Sequence, residues 1–145
     1  MDDLDRFLSA QAPVYLEVLR ELRQGRKSTH WMWFIFPQIA GLGHSEMSMR
    51  YAIAGLEHAR RYLEHPVLGA RLRECTGLVA ATKAGTAEEV FGSIDATKLR
   101  SSMTLFHRAA PGEALFVEVI DRFFDGAFDP GTDRLLIGHP GGRAG

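Results

Sequence analysis

The chain has almost no cysteine. A single thiol, Cys75, among 145 residues excludes an internal disulfide framework and fits a reducing cytoplasm. Long apolar runs are missing as well, since no stretch approaches the roughly 18 uninterrupted apolar residues that suggest a membrane span. The first residues include Asp2, Asp3 and Asp5 where a signal peptide would carry a basic start and an apolar run. The expectation is a cytoplasmic protein without membrane association. Charge of one sign is not in excess either: 17 Lys and Arg stand against 18 Asp and Glu. No global field therefore favours nucleic acid or an anionic membrane. The chain also lacks a Walker loop, a dinucleotide-binding glycine fingerprint, a GxSxG elbow, an HExxH pair and paired-cysteine zinc spacing. The histidines His30, His44, His58, His65, His107 and His139 include no i,i+4 pair. Neither a metal site nor a cofactor is expected.

What is present is ordinary globular material, 46% hydrophobic and 24% charged. A chain of this length buries roughly 70% of the surface its unfolded form exposes, enough for one core. Leu4, Phe7 and Leu8 begin a helical stripe that resumes after Pro13 as Tyr15, Val18, Leu19 and Leu22. Two helices separated or kinked at Pro13 are predicted, the second ending near Gly25. Arg20, Arg23, Arg26 and Lys27, and later Arg60, Arg61, Arg71 and Arg73, alternate with Glu17, Glu21, Glu57, Glu64 and Glu74. That pattern reads as solvated helix faces.

Further on, Ser45 and Glu46 open a helix carrying Met47, Tyr51 and Ile53, which Gly55 divides from Leu56, Ala59, Tyr62 and Leu63. His65-Pro66 leads into a helix bearing Leu68, Leu72, Leu78 and Val79, with Cys75 buried and inert among them and Gly85 at its end. Thr86-Ala87-Glu88-Glu89 has the pattern of a capping box for a short helix ending at Gly92. Asp95 is suited to cap a helix with Leu99, Met103 and Phe106, closed by Pro111-Gly112. Leu115, Phe116, Val119, Ile120 and Phe123 mark a last strong helix ending near Gly126, and beyond Asp129-Pro130-Gly131 the apolar run is Leu135-Leu136-Ile137. The expected architecture is all-α: one compact orthogonal multi-helix domain of seven or eight helices over residues 1–138, with a flexible C-terminal tail at 139–145.

Two segments carry polar chemistry. In the first, Lys27 to Gln38, the run His30-Trp31-Met32-Trp33-Phe34-Ile35-Phe36-Pro37 is apolar at nearly every position. It reads as a buried short helix, capped by Ser28 or Thr29 and ended by Pro37, or as a lone strand. Phe34 and Ile35 read as core. Trp31 and Trp33, flanked by Lys27, His30 and Gln38, make walls for a flat ring such as a nucleobase. In the second segment, Lys98, Ser101, Ser102 and Leu105 share one helix face at i, i+3, i+4 and i+7. A cation beside two hydroxyls suits a phosphate or carboxylate. The same residues also read as an ordinary helix whose hydroxyls bond back to the preceding turn.

The string from Gly25 through Gln38, with Gly41-Leu42-Gly43, resembles the bacterial family called domain of unknown function 1810. So do Tyr62 through Gly69, Phe91-Gly92, Asp95, Lys98 and Ser101 through Phe106. The resemblance covers the chain to about residue 125 and implies an all-helical single domain with a fold type of its own, without an agreed substrate. The calpastatin-like label that some members carry does not suit a short globular chain. The family's strings coincide with the two segments above. The leading expectation is a pocket between them that binds a small nucleotide-like or phosphorylated ligand. Trp31 or Trp33 would stack and Lys98 with Ser101 or Ser102 would hold an anionic group. Hydrolysis of a glycosidic or ester bond is the reaction class such a pocket would serve, with His30 as acid/base. The alternative is a non-enzymatic interaction or homodimerisation module that presents the aromatic run to a partner.

Overall fold

Pro13 stands where the two N-terminal stripes part. In the computed structural model, which describes residues 3–138, α1 spans Asp5–Gln11 and α2 spans Tyr15–Gln24. Gly25 closes α2 at φ 76, donating its N–H back to Leu22, the left-handed cap that glycine adopts without steric cost. Then follow α3 (Met32–Ile35), α4 (Glu46–Arg50), α5 (Leu56–Glu64), α6 (Leu68–Ala81), α7 (Ala87–Ala109), α8 (Ala114–Phe124) and α9 (Pro130–Gly138). The domain is all-α, as expected. Among the described residues it has nine helices, more than the seven or eight anticipated, and the run Leu135-Leu136-Ile137 proves to lie on α9. The expected tail at 139–145 lies outside the described residues.

The long α7 is the organising element and packs against α5, α8 and α9. Leu99, Met103, Leu105 and Phe106 on it are fully enclosed, each worth roughly 1.5–3 kcal/mol of transfer free energy. Phe106 continues an aromatic series from Phe7 on α1 through Tyr62 on α5 (5.2 Å, edge to face), then Phe106 (5.5 Å) and Phe116 on α8 (6.0 Å). Edge-to-face and offset contacts of this kind add to plain area burial. Beneath the series Gln11 is buried. Its amide donates to the Phe34 carbonyl at 2.7 Å and to the Tyr62 hydroxyl at 3.0 Å, so α1, α3 and α5 are cross-linked through one side chain.

Several boundaries differ from the sequence expectation for physical reasons. The aromatic run forms the helix α3, not a strand, and Trp31 stands at its N-cap without a side-chain cap. Ser28 and Thr29 do not cap it. The helix opened by Ser45 stops at Arg50, because Ile53 is drawn into a parallel bridge with Ile39, donating to the Gln38 carbonyl and accepting from the Ala40 amide. The helix bearing Cys75 ends at Ala81, short of Gly85, and the Arg122 guanidinium collects the carbonyls of Ala80, Thr82 and Ala84. Thr86 does cap α7, accepting from the Glu89 amide at 3.1 Å. Asp95 is not an N-cap. The interruption falls at Gly92 (φ 81, ψ 166) and helix resumes ahead of Asp95, which frees that carboxylate for other partners.

The α5–α6 junction is closed tightly at Gly69. A Cβ there would lie 2.1 Å from the Leu63 carbonyl oxygen, a backbone atom that cannot swing aside. Gly69→Ala is expected to lower the unfolding free energy by about 1–3 kcal/mol, the usual range for overpacking, measured by urea denaturation. A change near zero would mean that the junction relaxes freely.

Candidate functional site

The turn after α2 folds around a buried carboxylate. Glu21 has 0% of its surface exposed, although the charge pattern places it on a solvated face. Its Oε1 accepts from the Ser28 amide (2.6 Å), the Thr29 amide (3.0 Å) and the Trp31 indole N–H (3.0 Å), and its Oε2 from the Thr29 hydroxyl (2.7 Å). Burial on its own pushes the carboxyl up, but these four donors outweigh burial and hold it at about 2. The signal for this was present in the sequence. Glu21 lies three residues after Val18 and beside Leu22, within the apolar stripe, so a solvated position was open to question.

This hub decides what the aromatic run can offer. Trp31 is 1% exposed, packed against Phe36 and Phe91, and its N–H belongs to Glu21. It is core and cannot serve as a ligand wall. Phe34 and Ile35 are core as expected. Trp33, on the other side of α3, is half-buried, while His30 is exposed and Gln38 half-buried.

The second segment does meet the first. Asp95 pairs with Lys27 (2.9 Å) and with Lys98 (3.6 Å), and the two ammonium groups stand over the Trp31 and Trp33 rings at 5.1 and 5.0 Å. The Lys27 backbone N–H also donates to the Val90 carbonyl at 2.7 Å. Lys27, Trp33, Asp95 and Lys98 therefore form one cluster in which two cations share a single carboxylate. The hydroxyls do not join it. Ser101 is committed to the Thr97 carbonyl and to Asp129, and Asp129 in turn accepts from the amide and hydroxyl of Thr132 at the start of α9. Ser102 has 0% exposure, so neither serine is available to grip an anion from solvent.

Elsewhere, Cys75 is sealed in the core, and burial pushes its thiol up to about 12, which makes it inert as a nucleophile. No group of three or more His, Cys, Asp and Glu among the described residues is placed to hold a metal ion, and no helix among them is long and apolar enough to cross a membrane.

Comparison with known proteins bears on most of the chain. Residues 1–136 match the model of a family described as "Protein of unknown function (DUF1810)". The crystal structure of the conserved hypothetical protein Rv1873 from Mycobacterium tuberculosis is similar at 52% sequence identity and a TM-score of 0.90, over 92% of this chain and 95% of that one. Among curated proteins nothing matches.

Because the Glu21 carboxyl titrates below its ordinary value of 4.5, its contribution to stability is complete above that pH and is lost as pH falls toward about 2. Glu21→Gln would set an amide NH2 among four donors. It is expected to cost about 2 kcal/mol at neutral pH and to flatten the acid limb of a stability-against-pH curve. An unchanged acid limb in the variant would show that other carboxylates cause it.

Proposed function

Since the chain belongs to the DUF1810 family, whose description names no reaction, we propose a function from the geometry alone: the protein binds a small anionic, nucleotide-like ligand where Trp33 and Lys98 meet. The observation that carries this reading is the Lys98 ammonium held 5.0 Å from the centre of a half-buried indole. Trp33 supplies a flat apolar wall for a ring. Lys98, 20% exposed in its side chain and only 3.6 Å from Asp95, supplies a cation that can turn outward. Lys27 is 8% exposed and stays with Asp95 at 2.9 Å. Two cations against one carboxylate leave a unit of positive charge, which favours a phosphate or carboxylate on the ligand.

His30 lies exposed on the turn that leads into α3. In a hydrolytic version of this function it acts as acid/base on a glycosidic or ester bond of the bound ligand, with Gln38 beyond α3 as a further polar contact. The competing reading, self-association through the aromatic run, draws on Ile94, a large apolar side chain 73% exposed next to Asp95.

A thermal-shift screen against nucleotides, ADP-ribose derivatives and small phosphorylated metabolites tests the ligand reading. A ligand at 100 times its Kd stabilises the wild type by about 2.7 kcal/mol. The shift is expected to disappear in Trp33→Ala and Lys98→Ala. His30→Ala should keep the shift and slow any turnover by about 100-fold or more. If nothing in the library shifts the wild type while light scattering shows a dimer that Trp33→Ala dissociates, self-association takes its place.

A further inference from the structure

Arg23 and Lys83 border a depression of about 530 Å³ between the C-terminal ends of α2 and α6, with no wall drawn from the Trp33–Lys98 cluster. Its floor is apolar, made by Leu22, Leu78 and Ala81, and no carboxylate lines it. Most guanidinium and ammonium groups among the described residues are held by a carboxylate, a carbonyl or a ring: Arg73 by Glu113, Arg108 by Asp133, Arg100 by the Ala127 and Phe128 carbonyls, Lys98 by Asp95. Arg23 and Lys83 make no such contact with any described residue.

On the α6 side of the depression the backbone is biased in the same direction. A helix C-terminus presents unpaired carbonyls that repel anions, but at the end of α6 Arg122 has drawn the carbonyls of Ala80, Thr82 and Ala84 to itself. The Arg23 and Gln24 carbonyls at the end of α2 keep no donor among the described residues, so it is the α6 end that offers donors. The Thr82 hydroxyl accepts from the Ala84 amide at 3.3 Å and keeps its own proton to donate. The Lys83 amide has no acceptor among the described residues.

We propose that this depression is a second ligand site, one that holds the phosphate of a small phosphate monoester whose organic part rests on the apolar floor. Two cations offset a group carrying nearly two negative charges, and a hydroxyl, an amide, an ammonium and a guanidinium match three acceptor oxygens directed tetrahedrally. A carboxylate carries a single charge and so offsets only half of the charge that the two cations bring. The site is independent of the Trp33–Lys98 proposal, since the two share no residue.

The test is an amide NMR titration of the full chain at constant ionic strength with phenyl phosphate, inorganic phosphate and acetate. Both phosphates should give saturable shifts at the amides of Thr82, Lys83 and Ala84, phenyl phosphate at lower concentration because it covers the floor, and acetate should give none. The double variant Arg23→Ala/Lys83→Ala changes two exposed side chains, so its fold should survive, and it should weaken phosphate binding about tenfold or more. Shifts of equal size with acetate, shifts that persist in the double variant, or shifts confined to residues 27–33 and 95–98 would each overturn the proposal.

Discussion

A carboxylate with no access to water has to be satisfied by protein donors, and that constraint at Glu21 shapes half of the molecule's chemistry. An isolated buried charge would cost several kcal/mol. Here the charge gathers the Ser28 and Thr29 amides, the Thr29 hydroxyl and the Trp31 indole. In doing so it fixes how the chain leaves α2, sets the register in which α3 begins, and turns Trp31 inward and Trp33 outward. Side chains two residues apart on a helix point about 200° apart, to opposite sides, so anchoring Trp31 inward sends Trp33 outward. The candidate binding wall is a geometric consequence of a buried acid that touches no ligand.

The fold was largely legible because apolar spacing is a local property. The stripes on α2, α5, α6 and α8 repeat at helical intervals, and Pro13, Gly25, Thr86 and Gly126 punctuate them where the structure does. Legibility failed where long-range polar contacts set the outcome. Ile53 left its predicted helix for a backbone pairing with residues 38–40, α6 ended early where Arg122 reaches in from α8, and Asp95 was released from a capping role by the break at Gly92. None of these is encoded in the spacing of neighbours.

For the candidate site, sequence reasoning brought the right segments together but gave some residues the wrong tasks. Lys27, Trp33 and Lys98 do converge. Trp31, Ser101 and Ser102 are held by Glu21, Asp129 and the core, as the burial of each requires. The reason is general: a polar or aromatic side chain advertises chemistry in one dimension, and only its enclosure in three decides whether that chemistry faces solvent or serves the scaffold.

The break in α7 has a mechanical side. Its glycine faces open space, with nothing within 4 Å of where a Cβ would be, so sterics alone do not restrain bending there. Besides the core packing of Phe91 and Ala96, Lys27 spans the break, its backbone donating to Val90 on one side and its ammonium pairing with Asp95 on the other. One residue thus acts as a strut across a joint, with a reach fixed by the distance from its backbone nitrogen to its ammonium. The same side chain therefore joins the bend of the longest helix to the charge balance beside Trp33.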